Sequence, residues 1–116
     1  MEELPPQVQN MIAQLQQLQQ QLQAVVTQKL QVESMLKESS AALEEVQNAP
    51  DDTPIFKVAG NVLVKVEKEK VIKELQEKKE SYEIRLKALE RQEERLKERI
   101  DEMQKKIRSM LVTRAG

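Results

Sequence analysis

The amino-acid sequence predicts a mainly α fold: a long antiparallel two-helix coiled coil joined by a central β-hairpin, with hairpins from several subunits assembling into an oligomeric β-barrel hub. Three observations predict it. Apolar residues recur every seven positions through both halves of the 116-residue chain. The internal prolines and the one internal glycine all fall in a single segment between those halves. The residues flanking that glycine are largely β-branched, with one aromatic.

The first helix is expected over residues 7–48. Pro5 and Pro6 open it, where a missing backbone N–H has no intrahelical partner to lose, and neither proline nor glycine recurs before Pro50. From Leu4 to Gln28 the chain carries no charge and ten glutamines, a composition that also suits a disordered polar tract. The spacing of the apolar residues decides for the helix. Val8, Leu15, Leu22, Lys29, Leu36 and Leu43 fall at heptad position a, and Met11, Leu18, Val25, Val32, Ser39 and Val46 at d; ten of these twelve are apolar. Six heptads in one register form a coiled-coil seam. Lys29 and Ser39 interrupt it in the way that fixes register at some cost in stability, and the Lys29 stem is expected to cover the seam while its ammonium reaches water.

The second helix is expected over residues 68–112. Position a is occupied by Ile72, Lys79, Leu86, Glu93, Ile100 and Ile107, and d by Leu75, Tyr82, Leu89, Leu96, Met103 and Met110. At about 1.5 Å per residue the two arms measure roughly 62 and 67 Å. A chain reversal between them therefore keeps the seams aligned, setting Val46 beside Ile72 and Val8 beside Met110. Charge favours the pairing: Met1–Asn48 carries six acids against Lys29 and Lys37, whereas residues 67–116 carry twelve acids and fifteen bases.

Between the arms, Pro50-Asp51-Asp52-Thr53-Pro54 is a run of breakers and turn formers, and the hairpin is expected over residues 54–66. Ile55, Phe56 and Val58 lead to the tip at Gly60, the natural occupant of a φ > 0 position; Val62, Leu63, Val64 and Val66 return from it. Val62, Val64 and Val66 share one face. A two-stranded hairpin is marginal in water, and this one would expose apolar residues along two unpaired edges. Pairing with hairpins of other subunits in a closed sheet satisfies those edges, which is why these eight residues are the expected assembly site. The whole chain, 1–116, reads as a single domain.

Composition narrows the function. With no Cys and no His the chain has no disulfide, thiol nucleophile or imidazole base. The paired carboxylates Asp51/Asp52, Glu44/Glu45 and Glu93/Glu94 lack a converging base or nucleophile, so neither an enzyme nor a metal or cofactor site is expected. A net charge of -1 argues against coating a phosphate backbone. Arg99, Lys105, Lys106, Arg108 and Arg114 are interleaved with Asp101 and Glu102 and lack aromatic stacking platforms, so nucleic acid is not an expected partner. Apolar runs such as Val62–Val64 are far too short to span a bilayer, and the expected address is cytoplasmic.

A second apolar group is expected at the end of the coiled coil away from the hairpin, where Leu4, Val8, Met11 and Ile12 lie opposite Ile107, Met110, Leu111 and Val112. Met11, Ile107 and Met110 are seam positions, for which core packing is the ordinary role. Ile12 and Leu111 occupy e and Val112 occupies f, outside the seam, and methionine adapts to irregular partners. Together these residues suit a surface that grips unlike partners weakly.

The hairpin Ile55-Phe56-Lys57-Val58-Ala59-Gly60-Asn61-Val62-Leu63-Val64, with Leu15-Gln16-Gln17-Leu18-Gln19-Gln20-Gln21 before it and Glu90-Arg91-Gln92-Glu93-Glu94-Arg95 after it, resembles the beta subunits of the archaeal prefoldin family. The resemblance covers essentially the whole chain. It implies a holdase that uses no ATP, captures non-native polypeptides and passes them to a group II chaperonin. It implies a hexamer of two alpha and four beta subunits whose hairpins build a double β-barrel, so that the partners are a prefoldin alpha subunit and further copies of this chain. One hairpin is the beta pattern; alpha subunits carry two. The family's client-binding regions are the far ends of both arms, which here are the eight apolar residues just named. A structural or tethering coiled-coil oligomer without client binding would have the same arms and hairpin, and suppression of aggregation separates the two.

Overall fold

A computed structural model describes residues 4–115, with side chains described through Val112. Two long helices flank a two-stranded antiparallel sheet in the order α1 (Pro6–Asn48), β1 (Ile55–Ala59), β2 (Val62–Val66), α2 (Lys68–Ala115). α1 starts one residue before the expected start, with Pro6 inside the first turn, and α2 runs on past the expected end at 112. The chain divides into two compact units, one made of Met1–Lys29 with Ala88–Gly116 and the other of Leu30–Lys87.

The heptad frame governs burial in both. Every a and d residue of either helix is buried or half-buried, including Ser39, which is buried, and Lys29, Lys79 and Glu93, which are half-buried. Off the frame, Leu30 and Ile84 are exposed, while Val26, Met35 and Val71 are half-buried. In the first unit Val8, Met11 and Ile107 form a buried cluster joined by Leu15, Met103 and Met110. Rising numbers on α1 meet falling numbers on α2, so the helices there pack antiparallel.

In the same unit the Lys29 ammonium has a partner across the seam that its position did not announce. It donates to Glu93 Oε1 at 3.2 Å, and Lys97 Nζ lies 3.7 Å from the same oxygen. Two charged seam residues thus neutralise each other.

In the second unit the helix ends are closed by specific groups. α1 winds down as the Ala49 N–H is shared between the carbonyls of Glu45 and Val46, at 3.1 and 3.3 Å, and Thr53 N–H donates to the Pro50 carbonyl at 3.0 Å to form the turn. α1 has no basic residue in its last turn to offset the partial negative charge of its C-terminus. The offset comes from α2, whose Lys68 Nζ donates to the Ala49 carbonyl at 2.7 Å.

Candidate functional site

The hairpin pairs Ile55 with Val66, Phe56 with Lys65, Lys57 with Val64, Val58 with Leu63 and Ala59 with Val62. Cross-strand partners share a face, so Val62, Val64 and Val66 lie with Ile55, Lys57 and Ala59, and Leu63 lies with Phe56 and Val58. Gly60 makes the reversal at φ 63°, a conformation that costs other residues steric strain, and no atom lies within 4 Å of where a Cβ would stand.

The strand residues are not folded away. Ile55 and Val66 at the base are half-buried, whereas Phe56, Val58, Val62, Leu63 and Val64 are exposed, Val58 to 72 %. Both faces of the sheet carry apolar side chains. Each strand has one partner, so its outer edge presents unpaired N–H and C=O groups. A groove of about 750 Å³ runs beside β1, bounded by Ile55 and Phe56, by Ala42 and Val46 of α1, and by Val71 and Leu75 of α2.

Two ionic contacts lie at the base of the hairpin, one on β1 and one on the connection before it, and the sequence reading did not identify either. Lys57 Nζ of β1 meets Glu74 Oε2 of α2 at 3.3 Å. Lys68 Nζ, besides capping Ala49, donates to Asp51 Oδ1 at 3.1 Å. The signal for Lys68 was the absence of a base at the end of α1 combined with a lysine at the start of α2, one residue beyond the hairpin.

The terminal group of eight apolar residues divides by depth. Val8, at 1 % exposure, Met11 and Ile107 are interior. Ile12, Met110 and Leu111 are half-buried and pack against them, so the e-position residues flank the core instead of standing free of it. Leu4 and Val112 are exposed, Val112 to 71 %. Gln9 Nε2 donates to the Leu4 carbonyl at 2.7 Å, which ties the backbone at Leu4 to the first turn of α1.

Arg99, Lys105, Lys106 and Arg108 are exposed, with Lys105 paired to Asp101 at 3.0 Å; the Arg114 side chain lies outside the described residues. Among the described residues no group of acidic side chains is placed to hold a metal ion, and no helix is long and apolar enough to cross a membrane.

Comparison with known proteins gives one consistent result. A family model described as "Prefoldin subunit" matches residues 9–114. The prefoldin subunit beta of Archaeoglobus fulgidus is 62 % identical over 116 residues, covering 100 % of both chains. That of Pyrococcus horikoshii is 48 % identical over 111 residues, covering 96 % of this chain and 95 % of its own. The crystal structure of the prefoldin beta subunit from Thermococcus strain KS-1 superimposes with a TM-score of 0.88 at 48 % identity, over 96 % of this chain and 97 % of that one. The beta2 subunit from the same strain shares the fold, at a TM-score of 0.70 and 20 % identity.

Proposed function

This chain belongs to the archaeal prefoldin beta subunits, which are non-enzymatic molecular chaperones, and from that premise we propose that it holds non-native polypeptides without ATP, gripping them at the terminal apolar group, and passes them to a group II chaperonin. Its setting is the cytoplasm, in a hexamer of two alpha and four beta subunits whose hairpins close a β-barrel hub.

The observation that carries the reading is the grading of the terminal group. A buried platform of Val8, Met11 and Ile107 supports half-exposed Ile12, Met110 and Leu111, with Leu4 and Val112 outermost. Each such side chain contributes at most about 1.5–3 kcal/mol when fully buried. One subunit therefore binds weakly, and several joined through one hub bind one client by multivalency. The exposed hairpin supports the hub, because its apolar faces and open edges are stabilised by pairing with other hairpins.

The test is whether the complex with an alpha-type partner keeps an unrelated denatured enzyme in solution without nucleotide and then yields it to a chaperonin. Failure to suppress aggregation by an intact complex returns the chain to the tethering role.

A further inference from the structure

Asn48 and Ile55 are separated by six residues, whereas Glu67 alone separates Val66 of β2 from Lys68 of α2. A two-stranded sheet hung on one short and one long connection pivots unless something fixes its angle. Among the described residues, the side-chain polar contacts at the base of the hairpin all involve α2. Lys68 Nζ reaches the Ala49 carbonyl at 2.7 Å and Asp51 Oδ1 at 3.1 Å, which fastens the long connection to the first residue of α2. Lys57 Nζ reaches Glu74 Oε2 at 3.3 Å and fastens β1 to α2 further along.

These two ties are not equal. The Lys57 and Glu74 side chains are both about half exposed, and exposed pairs contribute little. The Lys68 side chain is mostly covered, whereas Asp51 is fully exposed, so the stronger of its two holds is the 2.7 Å contact to the Ala49 carbonyl. Its location is also informative, since a cation at the first turn of a helix opposes that helix's own macrodipole. Lys68 is poorly placed for α2 and well placed for α1, whose C-terminal carbonyls lack a base of their own.

We propose that Lys68 is the positioning residue of the assembly: by holding Ala49 and Asp51 it sets the angle at which the hairpin presents its edges to other subunits. The inference rests on the reading of the hairpin as the assembly site. Pose matters there because strand pairing needs the edge to arrive aligned, and a pivoting hairpin must be ordered at the moment of association.

The test compares Lys68→Met, Lys68→Arg and Val64→Asp in the full chain, each mixed with the alpha-type partner from the same organism. Assembly is read by native mass across a dilution series and helix content by circular dichroism. Lys68→Met is expected to leave the helical signal in place and to raise the dissociation concentration about ten-fold, a change worth roughly 1.4 kcal/mol. Lys68→Arg, which keeps the charge and the donors, is expected to restore most of it. Assembly of Lys68→Met at the wild-type concentration overturns the proposal, as does a loss of helix that parallels the loss of assembly, because Lys68 would then act on α1 and not on the hairpin's pose. Val64→Asp separates the two claims. If it assembles normally, the hairpin reading itself fails; if it dissociates while Lys68→Met does not, only the positioning role fails.

Discussion

Lys29 Nζ stands 3.2 Å from Glu93 Oε1, joining two residues 64 positions apart that both sit at a positions of the heptad frame. Neither would suit the seam alone. Their side chains are 25 % and 15 % exposed, so each has given up much of its hydration, and each carries a charge opposite to the other's.

The pair predicts an asymmetric mutant cycle. Lys29→Met leaves Glu93 in the seam with only the exposed Lys97 nearby, and is expected to cost about 1–3 kcal/mol. The double change Lys29→Met with Glu93→Leu is expected to be neutral or stabilising by about 1 kcal/mol or more, because no charge then has to be dehydrated. Denaturant unfolding followed by circular dichroism gives the coupling energy directly. A double variant less stable than Lys29→Met alone would contradict this account.

Val64→Asp is expected to abolish assembly while sparing the isolated subunit. Val64 faces Lys57 across the strands, so an aspartate there finds an opposite charge within its own hairpin, worth about 0.2–1 kcal/mol. In a closed barrel the same carboxylate is buried. Native mass spectrometry should show free subunits, and the circular dichroism spectrum should keep its helical signal.

The terminal group should separate holding from stability. Leu4→Ser with Val112→Ser changes exposed side chains and is expected to shift stability by no more than about 0.5 kcal/mol, yet to weaken protection of a denatured enzyme at equal concentration of the assembled protein. Val8→Ala removes buried methyl groups and is expected to cost about 2 kcal/mol. Full protection by the double serine variant would place client binding on other surfaces.

Gly60→Ala meets no neighbouring atom, so its cost comes from the positive φ alone. We expect about 1 kcal/mol. Gly60→Asn, which tolerates the left-handed region better, is expected to cost less, with both read as shifts in the denaturation midpoint of the assembled protein.

The helices and the hairpin were legible because their signals are periodic and local: a seven-residue repeat without glycine, and β-branched runs on either side of Gly60. The contacts of Lys29, Lys57 and Lys68 were not. Each joins residues distant in the chain, and a lysine's long stem lets its ammonium choose among several partners. Lys29 and Glu93 were both placed at a positions, but the antiparallel register sets a beside d, so neither was given the other as a partner. The terminal group was legible as a set but not by depth. Ile12 and Leu111 stand outside the a/d seam in a linear reading, yet they lie against Val8, Met11 and Ile107, because a residue beside a seam is also beside the core that the seam builds.

The bare hairpin has a consequence for supply. Five large apolar side chains and two open strand edges are exposed on the single chain. Such surfaces are templates for aggregation, so a copy made in excess of its partners carries the same liability as the misfolded proteins that this family restrains. In the assembly proposed for it, production of the chain has to keep pace with that of its partners, and an imbalance should appear first as insoluble beta chain.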